Sequence, residues 1–180
     1  MMDTNQDNTK LKLVETRIGE REILFRNIFE CSTDGMILGD EKGNFIKTNS
    51  ALSNILGYSE KELLSMSSSD LTYPGDIDSD SGLARQLFAG EIDDFTVEKR
   101  YVHKDGSIIW SETSVFAIRD DEGKFKYAVG RLRDITEKKI AEEELVKSRT
   151  GLRVLVDTIP DLVWLKDLDG VYLICNPMFE

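Results

Sequence analysis

DGMILGDEKGNFIKTNSAL, the stretch from Asp34 to Leu52, decides how this 180-residue chain folds. Met36, Ile37 and Leu38 are consecutively apolar, as in a short strand covered on both faces. Gly43 supplies a turn at Glu41 to Asn44, and FIKTN makes the returning strand of a hairpin. From Asn49 the period becomes helical: Asn49 or Ser50 can cap, Leu52, Ile55 and Leu56 share a face, and Gly57 can stop the helix. The pattern then comes back 127 residues later as DLVWLKDLDGVYLICNPMF, where Asp34, Asp40, Gly43 and Asn49 recur as Asp161, Asp167, Gly170 and Asn176. A repeat of this length is a domain rather than a solenoid unit, so the expected organisation is one complete module and the opening of a second. The second copy stops at Glu180, just after its opening pattern, which suggests a piece of a longer protein.

Upstream, Leu11, Val14, Ile18, Arg21, Phe25 and Ile28 recur at alternating steps of three and four, aligning one side of a helix. We take 1–23 as an N-terminal amphipathic helix and 24–135 as the module; the helix is the nearest cover for the second face of the first strand. Downstream, Ser59 with Glu62 forms a capping box for a short helix, SMSSSD and YPGD read as loop and turn, and Leu83, Leu87 and Phe88 mark a helix ending at Gly90. Three long extended runs follow, FTVEKRYVHK, SIIWSETSVFAIRD and FKYAVGRLRDI, joined by turns at Lys104 to Gly106 and Asp120 to Gly123. Two strands, several helices and three strands predict an α+β fold with a five-stranded antiparallel sheet and helices on one face.

Past that last run, Thr136 can cap a helix in which Ala141, Leu145, Ser148, Leu152, Leu155 and Ile159 form a coiled-coil-like seam. We assign 136–151 as a helical linker and 152–180 as the start of the second module, with Gly151 weakening the helix interior by about 1 kcal/mol and marking a joint. Trp110 faces away from Ser111 on its strand and calls for a cover, either the N-terminal helix or a second chain.

Composition narrows the function. A net charge of −11 with no basic stripe argues against nucleic acid. The acidic excess at Asp70, Asp76, Asp78, Asp80, Glu91, Asp93 and Asp94 lacks calcium-loop spacing and reads as a solvated face, with no metal site. Cys31 and Cys175 occupy non-equivalent positions of the two copies, which suggests neither a disulfide nor a paired metal site. No apolar run approaches the roughly 18 residues of a membrane span, and MMDTNQDNTK lacks the features of a signal peptide, so no membrane contact is expected in this segment and the expected location is cytoplasmic. There is no phosphate-cradling glycine loop and no Ser or Cys beside a His, so the segment itself is not expected to be an enzyme.

In STDGMILGDEKGNFIKTNSALSNILGYSEKELL and EKRYVHKDGSIIWSETSVFAIRDDEGKFKYAVGRLRDITEKKIAEEEL the chain resembles a PAS domain with its C-terminal PAC motif, from about Leu24 to Leu145. The resemblance implies a sensory module of a larger signalling protein, such as a sensor histidine kinase of a two-component system or a cyclic-dinucleotide enzyme, with a pocket between sheet and helices, that detects a small ligand, redox state or partner and relays it through the C-terminal helix to an output domain. Haem-binding relatives use a helical axial His, whereas this chain has only His103, beside a turn. Relatives that form a photoadduct with flavin use a Cys where this sequence has Ser68, and a hydroxyl is not a nucleophile of that kind. Neither cofactor is therefore expected, and the ligand is unknown. Positions matching the amides that bond flavin carry Tyr101 and Ser111, with Thr113 next along the same face and Leu132 on the last strand; these four are the expected ligand-facing residues or, in a filled core, packing residues. Signal relay is assigned to Asp134, Ile135 and Thr136, and a homodimer through the flanking helices is expected. The alternative is a ligand-free dimerisation or scaffold module.

Overall fold

The computed structural model describes the backbone at residues 4–78 and 81–179 and side chains at 16–78 and 81–178. Five strands, β1 (Gly35–Gly39), β2 (Phe45–Thr48), β3 (Asp94–Val102), β4 (Ile108–Arg119) and β5 (Phe125–Asp134), form one antiparallel sheet in the order β2-β1-β5-β4-β3. β1 is thus interior, flanked by β2 and β5, which accounts for its run of apolar residues. Period-two alternation sends Ile37, Tyr101, Thr113 and Leu132 to the inner face, where they are buried.

The helices between β2 and β3 cover that face. α2 (Ser50–Leu56) is capped at Asn49 and ended by Gly57 at φ 76°, and α3 (Glu60–Leu63) opens on the expected Ser59/Glu62 box. The SMSSSD stretch, expected as loop, contains a further turn of helix, α4 (Ser68–Leu71). Its start is held by the Asp70 carboxylate, which accepts from Ser67 N at 2.7 Å and Ser67 Oγ at 2.8 Å, a local bond that the run of serines obscured. A 3-10 turn at Pro74–Asp76 leads to α5 (Ser81–Ala89), followed by Gly90 at φ 82°. Leu52, Leu56, Leu63 and Leu71 are fully buried against Ile37, Phe45, Tyr101 and Leu132, each Leu contributing about 1.5–3 kcal/mol of transfer free energy.

α1 spans Thr4–Glu30, so the helix continues past the expected limit at residue 23 and the boundary at 24 falls inside it. Nothing between 23 and 30 breaks a helix; the chain turns only at Ser32, whose hydroxyl bonds Asp34. Among the described side chains of α1, those at its end dock: Phe29 is buried, Phe25 stacks on it, and the Lys47 ammonium of β2 lies 5.3 and 5.4 Å from the two ring centres. Ile18, Arg21, Phe25 and Ile28 of the seam are exposed, while the side chains of Leu11 and Val14, and Asp80 of the acidic cluster, lie outside the described residues. On the outer sheet face Trp110 is met by Arg100, its cross-strand neighbour, whose guanidinium sits 5.3 Å from the indole.

Residues 136–179 form a separate unit. α6 (Thr136–Thr158) runs through Gly151 without a break and beyond the expected end at 151. The hairpin of β6 (Trp164–Lys166) and β7 (Tyr172–Cys175) reproduces that of β1 and β2: Trp164↔Cys175, Leu165↔Ile174 and Lys166↔Tyr172 stand where Ile37↔Thr48, Leu38↔Lys47 and Gly39↔Phe45 stand, with the irregularity at the same step. Asn176 accepts from Val163 N and donates to Asp161 O, as Asn49 does with Met36 N and Asp34 O. Trp164 and Tyr172 are about half exposed, whereas their counterparts Ile37 and Phe45 are core.

Candidate ligand-binding cavity

Between the inner sheet face and α4–α5 lies a cavity of about 330 Å³. Its walls are mostly apolar: Ile37, Phe45, Phe95, Val115 and Ala128 from the sheet, Leu87 and Phe88 from α5. The β1–β2 turn at Asp40 to Gly43 forms part of the rim, and Asp40 is committed there, accepting from Lys42 N, Asn44 N and Asn44 Nδ2, which holds its carboxyl below the ordinary carboxylate range despite partial desolvation.

Of the four expected ligand-facing residues, Tyr101 and Thr113 line the cavity. Ser111 and Leu132 share the inner face but are packed into the core, both fully buried, rather than lining the opening. Three hydroxyls nonetheless connect, Ser111 Oγ to Thr113 Oγ1 at 3.1 Å and Thr113 Oγ1 to Tyr101 OH at 3.4 Å. Ser68 also lines the cavity. His103 is at the β3–β4 turn, where its Nδ1 faces Asp105 Oδ1 at 2.8 Å and its ring packs on Gly57, and it is not part of the cavity wall. Among the described residues no cluster of His, Cys, Asp or Glu is arranged for a metal.

Lys99 was not expected in this role. It is 2% exposed and lines the cavity, with Nζ 3.4 Å from Thr72 Oγ1, 3.5 Å from Ser68 Oγ and 4.9 Å from the centre of the Tyr101 ring. Alternation along FTVEKRYV places it on the face of Phe95 and Tyr101, a signal that was available in the sequence but is masked by the rule that lysines face water.

At the exit, Asp134 ends β5 opposite Ser111 and is exposed, while Ile135 is buried and donates its N–H to Trp110 O at 2.9 Å. Thr136 is itself the first residue of α6, so the cap position expected for it falls on Ile135. A second tie at this end was not foreseen. Asp34, where α1 gives way to β1, bonds Arg133 Nη2 at 3.0 Å and lies 3.8 Å from Arg131 Nε, both on β5.

A family model described as PAS domain matches residues 33–137. This chain belongs to the PAS domain family. Its curated relatives include the probable diguanylate cyclase DgcE of Escherichia coli, 36% identical over 126 residues, which covers 70% of this chain and 11% of that protein. The sensor histidine kinase TmoS of Ectopseudomonas mendocina is 34% identical over 125 residues, covering 69% of this chain and 13% of the relative. The PAS chain therefore spans only about a tenth of these relatives' lengths. Among solved structures, a PAS domain from Colwellia psychrerythraea superposes with TM-score 0.58 at 27% identity, covering 64% of this chain and 98% of its own. The PAS domain of an HTR-like protein from Haloarcula marismortui gives 0.57 at 26%, covering 69% and 99%. The PAS family and the PAS fold are thereby shown for this chain.

Proposed function

We propose that this PAS domain is the input module of a longer cytoplasmic signalling protein, a histidine kinase or cyclic-dinucleotide enzyme, and that a small ligand held in the cavity changes the exit of β5 and so the start of α6. The observation that carries the reading is the cavity of about 330 Å³, within the range of ligand sites, walled partly by the strand that ends one residue before α6. A guest contacting Thr113, Ala128 or Gly130 bears on β4 and β5 directly. It shifts the relay only by binding one arrangement more tightly than the other. Asp134, Ile135 and Thr136 are the residues through which that difference reaches the helix. Residues from about 152 onward are the opening of a second PAS copy, supported by the repeated register and asparagine bonds. In the full-length protein, Asp134→Ala should weaken the change in output on ligand addition while leaving ligand affinity in place. An unchanged output response rejects this route.

The apolar residues exposed on α1 and α6, among them Phe25, Ile28, Leu145, Leu152 and Leu155, support a second reading, a homodimer formed through the flanking helices. A colourless dimer whose cavity admits no guest would favour a scaffold role over sensing.

A further inference from the structure

On the inner sheet face three buried hydroxyls form a chain whose last proton is unspent. Thr113 Oγ1 donates to Tyr101 OH at 3.4 Å and, having one proton to give, accepts from Ser111 Oγ at 3.1 Å. The phenol of Tyr101 is thus an acceptor in this chain, and its own O–H donates to none of the described residues. Tyr101 is 2% exposed, and a buried donor without an acceptor is uncommon in a folded protein. Its position aims it at open space. Tyr101 stands opposite Ile109, yet its hydroxyl meets Thr113, whose own cross-strand partner is Val97, so the ring leans back along β3 toward the cavity that both residues line. The charged groups there are provided for: Asp76 attracts Lys99, Asp40 attracts Lys42, and the exposed Arg85 donates to Ser81 O at 3.3 Å. Much of the remaining wall, Phe45, Phe95, Val115, Leu87 and Phe88, offers only carbon.

Resting on the reading of the cavity as a ligand site, we propose that its guest is an uncharged molecule with an apolar body and a carbonyl oxygen, a ketone or an ester, and that Tyr101 selects it by donating its O–H to that oxygen. A carbonyl oxygen brings lone pairs and no proton, which complements a hydroxyl that has a proton and no acceptor. A guest alcohol would add a further proton to a chain that already has one in excess. A carboxylate would have to give up its hydration against the phenylalanines, at a cost far above that of a neutral carbonyl.

The test uses the 180-residue chain with acetophenone and α-methylstyrene, which share a shape and differ in an oxygen against a methylene, and with benzoate, all titrated by NMR. The ratio of acetophenone affinity to α-methylstyrene affinity should fall about tenfold when Tyr101→Phe is combined with Thr113→Val, which removes the phenolic donor and the hydroxyl that could replace it. It should stay in place in Thr113→Val alone and in Lys99→Met. On the native chain, acetophenone isotopically labelled at its carbonyl should show that infrared band below its position in cyclohexane, and a band that is not lowered overturns the proposal even where the double variant does not fold. A ratio unchanged in the double variant, a ratio lost in either single one, or benzoate binding more tightly than acetophenone overturns the assignment and leaves the cavity as a ligand site. Entry of xenon, read by its NMR shift, where neither acetophenone nor α-methylstyrene binds has the same consequence. If xenon also fails to enter, both the assignment and the ligand-site reading fall.

Discussion

Two neighbouring residues at the end of β2 separate a polar group that holds the fold from one that does not. Asn49, 1% exposed, uses all four of its bonds: Oδ1 accepts from Met36 N and Leu52 N, and Nδ2 donates to Phe29 O and Asp34 O. It joins the end of α1, the start of β1 and the first turn of α2. Thr48, equally buried, has an Oγ1 with no hydrogen-bond partner. Asn49→Ala should therefore cost about 3 kcal/mol or more, because it orphans buried groups, whereas Thr48→Val should be neutral or stabilising by up to about 1 kcal/mol. Urea denaturation of both variants checks the contrast, and a Thr48→Val loss comparable to that of Asn49→Ala would refute it. The sequence made Asn49 conspicuous through its recurrence as Asn176 and its capping position. It could not reveal that two of its bonds reach back to the helix end and Asp34, because those partners meet only once the hairpin has closed. Lys99 was passed over for a different reason: alternation puts it on the face of Phe95 and Tyr101, but a lysine in a strand is read as facing water unless the opposite wall is known.

Between elements, the clearest electrostatic joint fastens α3 to the β3–β4 turn. Glu62 accepts from Lys104 Nζ at 2.7 and 2.8 Å and from Ser59 N at 2.9 Å, and these bonds, the Lys104 one foremost, draw its pKa from an ordinary 4.5 down to about 2. In the same turn Asp105, bonded first by Ser107 and then by His103, falls from 3.8 to about 2. A carboxyl depressed in the folded state stabilises it above the unfolded value, and that contribution disappears as pH falls through the folded value. Glu62 thus helps fully above about pH 4.5 and ceases to help near pH 2. Glu62→Gln should unfold at lower urea than the native chain at neutral pH, with the gap narrowing steadily between pH 4.5 and 2. Both groups are solvent-exposed, so added salt should narrow the gap as well. The Ser59/Glu62 box was readable from the sequence, being local; the Lys104 bond, spanning 42 residues, was not. α4 was missed for another reason: its Ser67/Asp70 bonds are as local as the Ser59/Glu62 box, but the run of serines obscured which of them caps.

Across the whole molecule, the unresolved demand is for cover. In α1 and α6 the described seam residues Ile18, Phe25, Ile28, Leu145, Leu152 and Leu155 are each at least half exposed, more apolar surface than a stable helix normally leaves open. If these helices pair between two copies, Leu145→Glu combined with Leu152→Glu should convert a dimer to a monomer in sedimentation velocity while leaving the far-UV circular dichroism of the PAS domain in place. A native chain that is monomeric at high concentration removes the pairing.

Strand succession, most of the helices, the hairpin turns, the caps at Asn49 and Ser59 and the internal repeat were set by the sequence, because each depends on neighbours within a few residues, or on a pattern compared with itself. The strand order β2-β1-β5-β4-β3, the 330 Å³ cavity, the burial of Lys99 and the tie from Asp34 to β5 were decided by tertiary structure alone. Each of these joins segments far apart in the chain, and whether a side chain faces water, a partner or a void is a property of what the fold brings opposite it.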